Sequence, residues 1–146
     1  MAGADHIIER LESAFRGPAW HGPSLVEALA GVTAEIAARR SVAGGHSIHE
    51  LVVHLTVWKR APAVRLSGEA WMPTPEEDWP PVRTWESDLA ALHEAHAALI
   101  AAVHVFDDAR LGETAPAAEG HSYASMLQGC ALHDVYHAGQ ISLLKK

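Results

Sequence analysis

The sequence predicts an all-α protein: a four-helix bundle with a long connection between its second and third helices and a short N-terminal helix. Three observations carry this expectation. Apolar residues in the longer segments recur at three and four rather than at two, the helical period. Four of those segments have their own start and stop signals. No segment alternates as a strand would, and no internal repeat is present. The 146 residues fit one domain, 1–146, able to bury roughly 70% of the surface its unfolded chain exposes.

The N-terminal stretch Asp5 to Phe15 is expected as a short helix capping the bundle. The first main helix opens at Ser24-Leu25-Val26-Glu27, a capping box after Pro23, and ends near Arg39 with Leu25, Leu29, Val32 and Ile36 as its stripe. A second capping box, Ser47-Ile48-His49-Glu50, opens a helix through Leu51, Leu55 and Trp58. Pro62 removes one amide donor and frees the Trp58 carbonyl, which predicts a kink or stop near Lys59 and a resumption to Ser67. Gly68 to Arg83, with Pro73, Pro75, Pro80 and Pro81, reads as a crossing loop in which Thr74-Pro75-Glu76-Glu77 forms one short helical turn. The third helix runs from about Thr84 to Val105 with Trp85, Leu89, Leu92, His96, Leu99 and Val103 in register. After a loop from Phe106 to Gly120, the fourth runs from Ser122 to Lys145 and places Met126, Cys130, His133, His137, Ile141 and Leu144 on one stripe.

Composition excludes several classes of function. A net charge of −7 would repel a phosphate backbone, and the basic pairs Arg39-Arg40 and Lys145-Lys146 fall at helix ends, so nucleic acid is not an expected partner. No run of apolar residues is long enough to cross a bilayer, and Asp5, Glu9 and Glu12 stand where a signal peptide needs a basic start and an apolar run. Cys130 is the only cysteine. It excludes an intrachain disulfide and the Cys₄ and Cys₂His₂ zinc patterns, and it suits a reducing cytoplasm.

The unusual feature of the composition is histidine, 11 in 146 residues. At that frequency a pair four residues apart is expected by chance about once, so His133-x-x-x-His137 gains weight only from its position on an apolar stripe. Unpaired ring nitrogens in a core cost about 1–3 kcal/mol each, and a divalent cation ~2.0–2.1 Å from each would satisfy both rings together. A third ligand should come from a facing helix. His54, at a similar level of the second helix, is the candidate; the alternative is a core histidine bonded to a carbonyl. His96 could be a fourth ligand, a neighbour of the site or a plain core histidine, and Cys130 a thiolate ligand or a small buried hydrophobe. Glu50 could act as a base on a bound water, although its capping role already accounts for it. Asp134 and Tyr136 should bond to neighbouring helices, and the remaining histidines, His49 among them, should be solvated.

The segment Ser47 to Leu55, the long loop leading to Pro80-Pro81-Val82 and Trp85, and the terminal His133-x-x-Tyr136-His137-Ala138-Gly139-Gln140-Ile141 together resemble the DinB/YfiT-like family of metal-dependent enzymes. The resemblance covers about residues 24–146. It implies a four-helix bundle, often a homodimer, carrying one divalent transition metal ion, commonly nickel or zinc, on three histidines that fall on His54, His133 and His137. Family members include thiol-dependent S-transferases and isomerases, and others described as hydrolases. The chain reaches only Lys146, without the extra C-terminal domain of the mycothiol-dependent isomerases, which counts against that activity.

The expectation is therefore a metal-dependent enzyme acting on a small-molecule substrate. Hydrolysis by metal-activated water stands ahead of thiol transfer to an electrophile, and a non-catalytic metal or ligand binder is the alternative from another class. The open metal position is expected to face a pocket between the second, third and fourth helices, lined in part by Trp58 and His96. Trp71 and Trp79 in the long loop are expected either to cover a dimer interface or to fold back as a lid.

Overall fold

Hydroxyl side chains begin almost every helix. Ser24, Thr33, Ser47, Thr74, Thr84 and Ser122 each accept a hydrogen bond from the amide three residues on, supplying an acceptor to donors that a helix leaves unpaired at its start. In a computed structural model describing residues 3–146, the elements are α1 (Gly3–Phe15), α2 (Leu25–Leu29), α3 (Ala34–Ala37), α4 (Ile48–Leu66), α5 (Pro75–Asp78), α6 (Trp85–His104) and α7 (Tyr123–Leu144), with a 3₁₀ turn at Asp108–Arg110. The only β feature among the described residues is an isolated bridge between Thr114 and Ser122. No helix among them is long and apolar enough to cross a membrane.

Four long helices form a closed ring in which α1 packs on α6, α6 on α4, α4 on α7 and α7 on α1. The bundle is four-helical as its sequence predicts, but its membership differs. Ala4, Ile7, Leu11, Ala14 and Phe15 bury a full stripe, so α1 lies along α6 and α7 as a bundle helix rather than capping an end. The segment opened at Ser24 is not one helix. Ala30 leaves the helical region, Gly31 takes φ +77°, and Thr33 caps a separate turn, so α2 and α3 lean on the outside of the ring.

Pro62 does not stop α4, which runs unbroken to Leu66. Pro62 has no amide to offer the Trp58 carbonyl, and that carbonyl accepts instead from the Cys130 thiol at 3.4 Å. The crossing loop is pinned where it enters α6. Asp88 accepts from the Arg83 amide at 2.7 Å and meets His49 Nε2 at 2.8 Å. His49 is only 7% exposed, so it is a buried anchor and not the solvated group its place at a helix start suggests.

A layer of polar groups separates two apolar clusters, one around Leu11, Leu99 and Leu127 and one around Leu25, Leu55 and Leu92. Lys59 Nζ donates to Asp134 Oδ2 at 2.6 Å and to His96 Nδ1 at 3.2 Å, and His96 Nε2 donates to Glu12 Oε1 at 2.9 Å. Each member comes from a different long helix. Phe15 closes the layer, stacked on His96 at 3.8 Å with the Lys59 ammonium 4.7 Å from its ring centre. Lys59 and Asp134 are each 1% exposed. Burial pushes the Asp134 carboxyl above its usual range while the adjacent ammonium works against that rise.

Burial first, then the charges of Lys59 and Arg16 and the His93 ring, hold the His96 pKa down to about 3. The contact with Glu12 is thus a hydrogen bond from a neutral ring rather than an ion pair. In the unfolded chain His96 takes a proton near its ordinary 6.5, but in the folded chain only near 3, so the folded state binds fewer protons between those values. Its stabilising contribution is complete above about pH 6.5 and is lost as the pH falls toward 3. Urea unfolding across that window should show stability falling with acid, with a shallower slope in His96→Gln, whose amide reproduces both hydrogen bonds; an unchanged slope contradicts the assignment. Lys59→Met, which leaves Asp134 buried without its cation, should cost about 3–5 kcal/mol, and adding Asp134→Leu should recover most of that loss.

Candidate metal centre

Helix α4 and helix α7 each bring imidazoles to one point. His54 projects from the middle of α4, and His133 and His137, one turn apart, from the middle of α7. His133 Nε2 lies 3.1 Å from His54 Nε2 and 3.0 Å from His137 Nε2, and one ligand atom from each ring falls within 4.8 Å of the others. Ligands held ~2.0–2.1 Å from an ion at tetrahedral angles would stand about 3.3 Å apart, close to these separations.

The outer nitrogens explain why the inner ones converge as acceptors. His54 Nδ1 donates to the Asp78 backbone carbonyl at 3.0 Å and also lies 3.0 Å from its carboxylate Oδ1, while His137 Nδ1 donates to Gln140 Oε1 at 2.6 Å. With both Nδ1 atoms protonated, the Nε2 lone pairs of His54 and His137 point inward. One proton on His133 Nε2 could serve only one of them. A divalent cation satisfies all three, so the donor set fits a metal ion on the chemistry of the residues present. Burial above all, then the neighbouring His137 and His54 and the Lys59 charge, push the His133 pKa down to about 3. Burial also lowers His137, against the Gln140 hydrogen bond that raises it. Both rings are therefore neutral near pH 7, the state that ligates.

Two cavities of about 640 Å³ each flank the histidines, within the range of small-molecule sites. His54, His133 and Asp78 line both. One opens past Trp58, Cys130 and Arg65; the other passes Trp79, His137 and Tyr136. The walls come from α4, α7 and the loops that cross them. Helix α6 supplies none of these residues, contrary to the expected pocket between three helices. His96 lies in the polar layer and faces neither cavity.

Trp58 lines the first cavity and donates from Nε1 to Asp78 Oδ1 at 2.5 Å. Cys130 also lines it, but burial pushes its thiol up to about 12 despite the opposing pull of Lys59. It is a protonated donor to the Trp58 carbonyl rather than a thiolate ligand. Glu50 is held in its capping box, with Oε2 accepting the Ser47 amide at 2.8 Å and Oε1 paired with Arg40. It lines neither cavity, so the role of base does not fit its position. Asp134 bonds across to α4 as expected of it, whereas Tyr136 is 65% exposed.

One residue of the site escaped the sequence reading. Asp78 ends α5, the short helix whose capping box begins at Thr74, and its carboxylate joins His54 to Trp58. Trp79 follows it and stacks between His54, at 3.9 Å, and His46, at 3.5 Å. It is turned in over the histidines as a cover, and the Trp71 indole donates to Glu77 Oε2 at 3.1 Å. The turn at Thr74 was legible as a signal, but its distance from His54 was not.

The sequence model described as the DinB superfamily matches residues 20–141, while no curated protein and no solved structure matches the chain. The match includes α4, the crossing loop and the histidines of α7, and spanning most of the sequence it shows that the chain belongs to the DinB superfamily.

Proposed function

We propose that the protein is a divalent-metal-dependent enzyme acting on a small molecule, with hydrolysis as its first reaction class. The observation that carries the reading is the convergence of three imidazoles, two of them with their outer nitrogens already engaged, at a point shared by two cavities. A nickel or zinc ion held by His54, His133 and His137 would supply Lewis acidity, lowering the pKa of a water or thiol in its open position and polarising a carbonyl. The chain itself does the rest. Asp78 orients His54, Gln140 orients His137, and Trp79 lies over the His54 ring and restricts water there.

Thiol transfer to an electrophile is the second reading, and the buried, protonated Cys130 bears on it. The thiol would have to be supplied from outside, because that side chain is spent on the Trp58 carbonyl. Panels of esters and amides on one hand, and of electrophiles with an added low-molecular-weight thiol on the other, separate the two classes. Absence of metal-dependent turnover in both would leave a metal or ligand binder.

Three outcomes are expected. Protein purified without an affinity tag should take up one equivalent of nickel or zinc, and His133→Ala should lose it; stoichiometric metal in that variant would sink the ligand assignment. At a hundredfold excess of metal over Kd, binding should add about 2.7 kcal/mol, a rise of roughly 5–10 °C in Tm that chelation removes. Asp78→Asn should weaken metal binding about 10–100-fold by competition titration while leaving the helical circular dichroism intact.

A further inference from the structure

Arg65 is an unusual wall residue for the first cavity. It is 3% exposed, yet no carboxylate among the described residues forms an ion pair with it. Its Nε donates to the Trp71 carbonyl at 3.0 Å. The two terminal nitrogens face only thioethers, Nη1 toward Met126 Sδ at 3.9 Å and Nη2 toward Met72 Sδ at 3.7 Å. Thioether sulfur is a weak acceptor, and a buried guanidinium normally meets an anion. The pair of nitrogens left on sulfur is the fork that receives a carboxylate through two parallel hydrogen bonds.

The surroundings are arranged for a visitor. Met72 and Met126 both line the cavity, and methionine side chains change rotamer readily, so an entering oxyanion can displace them from the fork. Across the same cavity, Ala117 and Glu119 hold φ of 53° and 52°, a left-handed conformation that side chains other than glycine adopt at a cost and that clusters at ligand sites. Burial lowers the Arg65 pKa from its ordinary value, and the Glu119 charge draws it back up without closing to an ion pair. Arg65 stands eleven positions after His54 on α4, three turns and about 16 Å of helix rise on the same face. Trp58 lies between them, with the Arg65 guanidinium carbon 5.7 Å from its ring centre.

We propose that this cavity takes an elongated small molecule carrying a carboxylate at one end, that the Arg65 guanidinium receives the carboxylate, and that the molecule's apolar middle lies against Trp58 with its reactive end at the three histidines. The placement of the reactive end rests on the metal-enzyme reading; the carboxylate end rests on Arg65 alone.

The test compares hexanoate with its neutral isostere hexanamide, at neutral pH, on metal-free and zinc-loaded protein. Binding is followed by Trp fluorescence and by the Arg65 Nε–H resonance of ¹⁵N-labelled protein. Hexanoate should bind about tenfold or more tighter than hexanamide in both metal states and shift the Arg65 resonance, and Arg65→Met should erase the preference while Arg65→Lys keeps part of it. Equal affinity for the two probes, no binding of either, a preference that survives Arg65→Met, or an unmoved Arg65 resonance overturns the proposal. So does a preference seen only with zinc, since the carboxylate would then be reading the ion. Should Arg65→Met fail to fold, the probe pair and the resonance on the unmodified chain decide. A chain that takes up no metal but still prefers hexanoate defeats the metal-enzyme reading and leaves the carboxylate site standing.

Discussion

Burying Lys59 and Asp134 in the middle of a helical bundle is the constraint on which the remaining geometry depends. An ammonium and a carboxylate removed from water are costly unless they meet, and at 2.6 Å they meet in only one relative placement of α4 and α7. His96 and Glu12 extend the contact to α6 and α1, so one polar layer sets the level of all four long helices. Apolar side chains above and below supply most of the driving force but tolerate sliding; the polar layer does not. The histidine site inherits that register. Lys59 lies five residues after His54 and Asp134 directly follows His133, so a shift of one helical residue, about 1.5 Å, that separated the imidazoles would also part the buried pair.

The same layer shapes the electrostatics of the site. Positive charge at Lys59 adds to burial in keeping His133 and His96 neutral. The core is thus poised for neutral imidazoles, which suit a cation, and resists protonation that would set three positive rings against one another. The single thiol is kept out of this chemistry by the helix that carries the site. Pro62 leaves a carbonyl without its amide, Cys130 fills the vacancy as a donor, and the thiol stays protonated.

Rigid helices and a crossing loop divide the work at the centre. The converging imidazole nitrogens stand on α4 and α7, whereas orientation and cover come from Asp78 and Trp79 at the end of a four-residue helix. That loop is pinned beyond the site by the His49, Asp88 and Arg83 contacts and before it by Arg65 on the Trp71 carbonyl. Arg65 therefore connects the loop's position to the wall of the cavity that Asp78 shares, placing anion recognition and histidine orientation on one stretch of chain.

Residues whose structural consequence is local were legible without a fold. Ser24, Ser47, Thr74 and Ser122 announce helix starts because a hydroxyl needs only the amide three positions away. The stripe of α7 placed His133 beside His137 through helical geometry alone, and the level of His54 on its own helix suggested the third ring. What the tertiary structure decided were the partners of groups that act across the chain. Gly31 broke an apolar stripe that read as continuous, and α1 took the fourth place in the bundle because its buried face matched α6 and α7. His96 sat on a correct stripe but was claimed by Lys59 and Glu12, Asp78 arrived from a proline-rich loop, and Arg65 was buried without a carboxylate. Periodicity states which face a residue occupies, whereas the energy of a buried charge or ring nitrogen depends on what the opposing segment brings to it, and only the packed chain determines that.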